Sequence, residues 1–214
     1  MSIKPPALAM CATLILGGCS IGKPIEQPTT YVIEPPPPAT STVPRRPDTL
    51  RMGDVNVAAT FSGSGLVYRL DDVRYVSDPY NAFMADPASM IGSRMADWLD
   101  RAGPFKAVVQ PGSAQSAKSA PYVFEATVTE LYGDTRKDTV PAAVMTVQFA
   151  VVNTASPRMT TVYERTISRR VEIGEAAPSA LVRGYGTALS EILSEVRADL
   201  AALPVGGAAG QGGR

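Results

Sequence analysis

The chain has 214 residues, 20 Lys and Arg against 20 Asp and Glu, two cysteines and no histidine. Without histidine it can form no Ser–His or Cys–His pair and no His-ligated zinc or haem site. Two cysteines are too few for a Cys-rich zinc or iron–sulfur centre. Zero net charge argues against a nucleic-acid partner. We therefore predict no catalytic residue, no metal, no cofactor and no nucleic acid: the protein is not expected to be an enzyme.

Residues 1–18 have the pattern of a lipoprotein signal peptide. Lys4 is followed by an apolar run from Ala7 to Leu16, which is too short to span a bilayer as a helix. The sequence Leu16-Gly17-Gly18-Cys19 resembles the bacterial lipobox, which a peptidase cuts between Gly18 and Cys19. An ordinary signal peptide, or an anchor helix with an incidental cysteine, is the alternative.

The lipobox resemblance implies that Cys19 is the lipid attachment site. A diacylglycerol on its thiol and an N-acyl chain such as palmitate would hold the protein on a membrane, at about 0.8 kcal/mol per buried CH₂. Ser20 stands where an Asp resembles a signal for inner-membrane retention, so the outer membrane is favoured. Cys11 leaves with the signal peptide, and the mature domain must then be stable without a disulfide.

Residues 19–49 are rich in proline and are predicted to form a tether. Pro35 to Pro38 favour polyproline II, which rises about 3.1 Å per residue, so the tether could reach roughly 90 Å. A Pro-rich ligand for a partner's groove is the alternative function. Within the tether, Tyr31 to Glu34 are apolar and β-prone, and this segment could dock as an extra strand. Residues 204–214 are Gly-rich and predicted to be a flexible tail.

Residues 50–203 are predicted to form one domain, whose first half alternates strand and helix signals. Alternation at 55–59 indicates a strand, and two apolar runs flank a turn at Asp71-Asp72, which predicts a hairpin. A helix should begin with Asp86 as N-cap and Pro87 as its first residue, and end at Gly103-Pro104. Phe105 to Val109 should form a short buried strand.

The second half of the domain is predicted to contain three longer strands and a final helix. The strands cover 122–132, 143–152 and 160–173, and the stretch 147–152 is apolar on both faces, as in a central strand. The helix should run from Pro178 to Leu203 with one apolar stripe. The fold class is therefore α+β, an antiparallel sheet with two amphipathic helices packed on one face.

Motifs that could carry chemistry have simpler explanations. Gly63-Ser64-Gly65 lacks the third glycine of a dinucleotide fingerprint and precedes a strand rather than a helix. Asp71-Asp72 fits a solvent-exposed turn better than a carboxylate pair. Gly184-Tyr185-Gly186 lies inside the last helix, where close packing on the sheet is favoured over a hinge.

The segment from Leu66 to Pro87 is the best candidate for a binding surface. It combines tyrosine and arginine, the residue types that are enriched at the energetic centres of protein interfaces. Half-buried aromatic side chains with solvated hydroxyls are the simpler alternative. The predicted partner interface consists of Tyr68, Arg69, Arg74, Tyr75 and Tyr80.

Four parts of the chain together resemble a known family, the auxiliary lipoproteins of ABC-type transporters associated with mammalian-cell-entry (MCE) lipid transport. The first two parts are the lipobox ending at Cys19 and the segment Tyr31-Val32-Ile33-Glu34-Pro35. The third is the stretch from Gly65 to Arg69, followed by Asp86-Pro87 and a helix that contains Trp98-Leu99. The fourth is the strand from Val123 to Tyr132 together with the closing helix. Such proteins are non-catalytic partners of an envelope transporter that moves lipids or other apolar cargo.

The resemblance implies an accessory subunit that faces the periplasm and is attached to the membrane through its N-terminal lipid. Its partners would be MCE-type or other ABC-transporter subunits, and formation of a homo-oligomer is a further possibility. The alternative is a stand-alone outer-membrane lipoprotein that itself binds lipid or another hydrophobic ligand. That alternative requires an apolar cavity in the domain.

Overall fold

A mixed β-sheet with two helices packed against it forms the fold in this computed structural model, which describes residues 27–38, 44–110, 120–155 and 158–203. The described strands and helices are, in chain order, β1 (Thr29–Tyr31), β2 (Arg46–Val57), β3 (Gly65–Arg69), β4 (Tyr75–Phe83), α1 (Pro87–Ala102), β5 (Phe105–Val109), β6 (Tyr122–Asp134), β7 (Ala142–Asn153), β8 (Thr160–Glu172) and α2 (Pro178–Ala201). A 3₁₀ turn at Ala59–Phe61 follows β2.

Strand β6 is the centre of the sheet. Along one edge it pairs antiparallel with β7, which pairs antiparallel with β8. Along the other edge it pairs in parallel with β2 and then, past an irregularity between Val128 and Glu130, with β3. Outside these lie β5, which is parallel to β2, and β4, which forms a hairpin with β3. Strand β1 pairs in parallel with the outer edge of β4. One side of β6 therefore carries two separate groups of strands.

The predicted α+β class with helices packed on the sheet is confirmed, and the sheet is mixed rather than antiparallel throughout. Parallel neighbours need a crossover connection. Helix α1 supplies it, because it lies between β4 and β5 in the chain and packs on β2 and β5. The hairpin signals that indicate antiparallel pairing are local, whereas this crossover joins distant segments.

Helix α1 has the boundaries that its flanking residues predict. The Asp86 carboxylate accepts a hydrogen bond from the Ser89 N–H at 2.8 Å, and Pro87 opens the first turn. The Gly103 N–H donates to the Leu99 carbonyl at 2.7 Å, which closes the last turn. Its buried face includes Ile91, Met95 and Leu99. Helix α2 likewise begins at the predicted Pro178 and contacts β7, β8 and α1.

The core lies between the helices and one face of the sheet. Strand β7 has the predicted central position between β6 and β8. However, the part of β7 that is buried on both faces is 142–147, whereas Gln148, inside the predicted stretch, is exposed. The apolar sequence pattern overestimated the burial of residues 147–152, because small residues such as Ala150 can be partly exposed to solvent at little cost in free energy.

The N-terminal segment belongs to the fold. An extra strand is present as β1, but it covers Thr29–Tyr31 and shares only Tyr31 with the expected segment Tyr31 to Glu34. Beyond it, Ile33 is fully buried and Pro35 is buried. We call residues 33–38 the strap, because they lie along the helices. Glu34 pairs with Arg94 of α1 at 2.8 Å, and the Ser190 hydroxyl of α2 donates to the Pro36 carbonyl at 3.3 Å. The fold thus extends into the segment predicted as tether, and β2 already begins at Arg46.

Other predicted features lie outside the described residues and stay predictions. They are the signal peptide at 1–18 with the lipid site Cys19, most of the loop at 110–120, and the tail at 204–214.

Two glycines of α2 confirm the expected close packing of this helix. At Gly184 a Cβ would press on Ala143 of β7 and on Ile173, so this glycine lets the helix approach the sheet. At Gly186 a Cβ would overlap the carbonyl oxygen of Glu34, which means that the second glycine makes room for the strap instead. Each glycine lowers the intrinsic stability of the helix, but its missing side chain lets another part of the fold approach the helix backbone closely.

We expect Gly186→Ala to destabilise the protein by about 1–3 kcal/mol, because the added methyl group collides with the backbone of the strap. Urea unfolding measures this change. Thr187→Ala on the same helix is the matched control and should change stability by less than about 0.5 kcal/mol. On helix propensity alone, Gly186→Ala would be stabilising, so a gain in stability would contradict the contact.

Candidate functional site

The β3–β4 hairpin turns through the predicted pair Asp71-Asp72. The Leu70 N–H donates to the Arg74 carbonyl at 2.9 Å, closing the turn. One carboxylate oxygen of Asp71 accepts the N–H groups of Val73 and Arg74, at 3.1 and 2.8 Å. These backbone hydrogen bonds hold the pKa of Asp71 below its usual range. The pair forms a turn, as predicted.

A second feature of the hairpin is a wide irregularity in β4. Gly65 of β3 lies opposite Ala82, but Val67 lies opposite Ser77, so residues 78–81 bulge from the strand. The Asp78 carboxylate holds the bulge by accepting the N–H groups of Tyr80 and Asn81, at 2.8 and 3.1 Å. The bulge leaves the Tyr80 side chain 61% exposed.

Arg69 and Tyr75 lie opposite each other in the hairpin and form a small aromatic and cationic cluster. The Arg69 guanidinium is 5.7 Å from the centre of the Tyr75 ring. The Tyr75 ring meets the Tyr132 ring edge-on at 5.4 Å, and Phe61 stacks on Tyr132 at 5.9 Å. Desolvation raises the pKa of Tyr132. We call Phe61, Arg69, Tyr75 and Tyr132 the aromatic cluster.

Tyr68 points to the other side of the hairpin, toward the helices. Its ring lies against Gly133 of β6, beside the Leu181 side chain of α2. Burial raises the pKa of Tyr68 to about 12, with a smaller contribution from Asp78. This tyrosine is therefore half-buried and packs against the core on the helix side.

An ionic cluster ties the turn of the hairpin to the end of β6. The Asp134 carboxylate, which is almost completely buried, accepts two hydrogen bonds from the Arg136 guanidinium, at 2.9 and 2.8 Å. Arg170 of β8 lies 3.3 Å from the same carboxylate. Arg136 also reaches Asp72 in the hairpin turn, at 3.4 Å. The hydrogen bonds from Arg136 lower the pKa of Asp134.

The five residues predicted as a partner interface do not form one patch. Arg69 and Tyr75 meet in the aromatic cluster, Arg74 pairs with Asp71 at 3.2 Å, Tyr80 stands on the bulge, and Tyr68 packs inward. Whether they bind a partner stays a prediction. Sequence analysis missed the neighbours Phe61, Tyr132, Asp134 and Arg136. The closeness of Asp134 and Arg136 along the chain was a usable signal, but the pairing of β3 with β6 was not visible.

One open groove, with a volume of about 370 Å³, lies between the strap and α1. Trp98 and the prolines of the strap line it together with the charged side chains of Arg94, Asp97 and Arg101. Such charged walls suit a polar or solvated groove better than a lipid tail.

Two general features of the described residues also bear on function. No helix within them is long and apolar enough to cross a membrane. In the same residues, no three or more Asp, Glu, Cys or His side chains are grouped so that they could hold a metal ion.

Comparison with known proteins gives both a family and a fold. A family model described as the ABC-type transport auxiliary lipoprotein component matches residues 31–197. No curated protein matches the chain significantly. Among solved structures, protein XCC0632 from Xanthomonas campestris, assigned to DUF330, is similar, with a TM-score of 0.64 and 15% identity over 81% of this chain and 93% of that one.

Two further solved structures are similar at low identity. A protein described as uncharacterized has a TM-score of 0.62 and 15% identity, over 82% of this chain and 99% of that one. The PelC dodecamer from Paraburkholderia phytofirmans has a TM-score of 0.44 and 16% identity, over 73% of this chain and 93% of that one. The first of these and XCC0632 share the fold of this chain.

We expect Asp134→Asn to destabilise the protein at neutral pH by about 1–3 kcal/mol, because Arg136 and Arg170 lose their shared carboxylate. The pKa of Asp134 is lowered in the folded protein, so its stabilisation is complete above the usual carboxyl pKa and is lost as the pH falls through the lowered value. The deficit of the variant should therefore shrink below pH of about 4.

Denaturant unfolding of both proteins across this pH range measures the effect. Asp138→Asn, at an exposed position in the following turn, is the matched control and should change stability by less than about 0.5 kcal/mol. A deficit that stays constant down to the lowest pH would show that the Asp134 charge does not stabilise the fold.

Proposed function

Because this chain belongs to the family of ABC-type transport auxiliary lipoprotein components, we propose that it is a lipid-anchored accessory subunit of an MCE-like envelope transporter. In this role it binds other transporter components and supports the movement of lipid or another hydrophobic cargo. The observation that carries the proposal is the family match, which covers residues 31–197 and so nearly the whole described fold.

The proposed anchor is the lipidated Cys19, exposed when the signal peptide is cut after Gly18. The lipobox supports this assignment, as does the lipoprotein description of the family. The attachment places the domain in the bacterial cell envelope, facing the periplasm. Ser20 favours the outer membrane over the inner one.

The proposed subunit is not an enzyme. The candidate site supports this view, because its ionisable groups are used in structural contacts. Asp71 holds a turn, Asp78 holds a bulge, and Asp134 holds two arginines. The hydrogen bonds that Asp71 and Asp134 accept lower the pKa of these two carboxyl groups, which makes them poor general bases at neutral pH.

We assign partner contact to the side of the hairpin that carries the aromatic cluster. Tyr75 is 36% exposed there, and its ring is held in place by Tyr132 and Phe61. An aromatic side chain that is already ordered loses little conformational entropy when a partner covers it. Arg69, stacked beside it, adds a cation that is positioned in advance. Tyrosine and arginine together are the usual energetic centre of a protein interface.

Affinity purification of the mature protein from native membranes tests this role. We expect a permease, an ATPase or an MCE subunit to be recovered with it. Tyr75→Ser should reduce that recovery, whereas Glu164→Ala, on the far edge strand β8, should not. Cys19→Ala should abolish acyl labelling and leave a mislocalised precursor, and it serves as the control for the anchor.

The outcomes separate the parts of the proposal. Recovery of no transporter subunit would overturn the accessory role, and persistent acyl labelling of Cys19→Ala would overturn the anchor assignment. Equal recovery with Tyr75→Ser and with the unchanged protein would mean that the partner binds elsewhere. Lipid that copurifies with the chain in the absence of any transporter subunit would favour the stand-alone lipoprotein.

A further inference from the structure

Most of the large apolar side chains that stand exposed in the described residues lie in or beside β4. We call five of them the hairpin edge: Val32, Val73, Val76, Tyr80 and Met84. Outside the hairpin, the comparable exposed side chains are Val140 and Met159. Clusters of exposed apolar side chains at one edge of a fold mark contact sites, whereas scattered ones do not.

The backbone displays these side chains on hydrogen-bonded structure. Val73, 89% exposed, lies in the turn that Asp71 holds, and Tyr80 stands on the bulge that Asp78 holds. Met84 follows β4 directly, and its N–H donates to the carbonyl of Tyr31 at 2.9 Å. The exposure of the hairpin edge is therefore built into the fold.

The path of the N-terminal chain connects this edge to the lipid anchor. Strand β1 runs parallel to β4 with Thr29 opposite Asn81, so the chain enters β1 from the side of Tyr80. Only residues 20–27 separate Cys19 from Pro28, and a fully extended chain of that length spans roughly 30 Å. An acylated Cys19 therefore keeps the part of the hairpin edge around Tyr80 within roughly that distance of the bilayer.

The charges around the turn are compatible with a lipid surface. Asp71 pairs with Arg74 at 3.2 Å, and Asp72 pairs with Arg69 at 3.7 Å and with Arg136 at 3.4 Å. The acidic groups at the tip are thus balanced by arginines, and the Asp78 carboxylate beside Tyr80 accepts the N–H groups of Tyr80 and Asn81. Equally, the turn presents no surplus basic patch of the kind that selects anionic lipids.

We propose that the hairpin edge rests on the bilayer that holds Cys19 and forms a second attachment to it. Tyr80 suits the interfacial zone, because its ring is apolar and its hydroxyl stays hydrated. Val73 and Met84 add apolar contact on either side. A single weak insertion becomes effective because the lipid anchor keeps the edge at high local concentration. This inference rests on the proposed anchoring, and the aromatic cluster stays available to a protein partner.

The unacylated chain from Ser20 to Arg214 contains all described strands and helices. Its binding to vesicles tests whether the hairpin edge contacts a bilayer in the absence of the lipid anchor. We expect cosedimentation with vesicles of phosphatidylcholine and phosphatidylethanolamine that changes little with salt concentration. Val73→Ser combined with Tyr80→Ser should lower the partition coefficient about tenfold or more. Val140→Ser combined with Met159→Ser removes exposed apolar side chains elsewhere and should leave it unchanged.

Several results would overturn the proposal. One is equal loss of binding in both double variants, and another is no loss in Val73→Ser with Tyr80→Ser. A third result is that the chain does not bind vesicles, but that substitutions in the hairpin edge reduce the recovery of transporter subunits. In that case the edge would bind a protein partner. None of these results depends on Cys19, so failure of the lipid contact is distinguishable from failure of the anchor, which acyl labelling reports.

Discussion

The contact between the strap and the helices determines how the whole domain is connected to its N-terminus. Ile33 is fully buried, and the carbonyl of Glu34 lies so close to Gly186 that no side chain fits between them. The ion pair with Arg94 and the hydrogen bond from Ser190 hold the following residues along the same surface. A proline-rich segment that would be a long spacer in isolation is therefore part of the fold. Residues 20–26 separate the proposed anchor at Cys19 from the first described residue of the fold.

The two sides of the β3–β4 hairpin have different environments. The outer edge, with Tyr80 on its bulge, lies on the side from which the chain enters β1. The aromatic cluster lies on a sheet face, with Tyr75 ordered by its ring neighbours. The ion pairs through Asp134 and Arg136 tie the turn to the end of β6. In the proposed role, the hairpin would contact the membrane with its outer edge and a transporter subunit with its aromatic cluster.

Local signals predicted the elements, and long-range pairing was hidden from them. Asp86 and Pro87 give the start of α1, and Asp71-Asp72 gives the turn, because each acts within a few residues. The parallel pairing of β2 with β5 and β6 depends on a crossover that no local pattern encodes. The same limit applies to the candidate site. The tyrosines and arginines of the sequence indicated the hairpin as a candidate site. Only the register of β3 against β6 shows that Arg69 and Tyr75 lie beside Tyr132, whereas Tyr68 faces the helices.

Energy transfer can measure whether a short anchor holds the β4 side of the domain close to the membrane. The lipidated protein would carry a dye at Ser77→Cys in β4 or at Thr166→Cys in β8, with an acceptor at the surface of the reconstituted bilayer. The only other cysteine of the mature chain is the acylated Cys19. Four strand spacings, roughly 20 Å, separate β4 from β8. If the anchor holds β4 near the membrane, we expect strong transfer from position 77 and clearly weaker transfer from position 166. Weak and equal transfer from both positions, as from a domain on a stalk of roughly 90 Å, would contradict it.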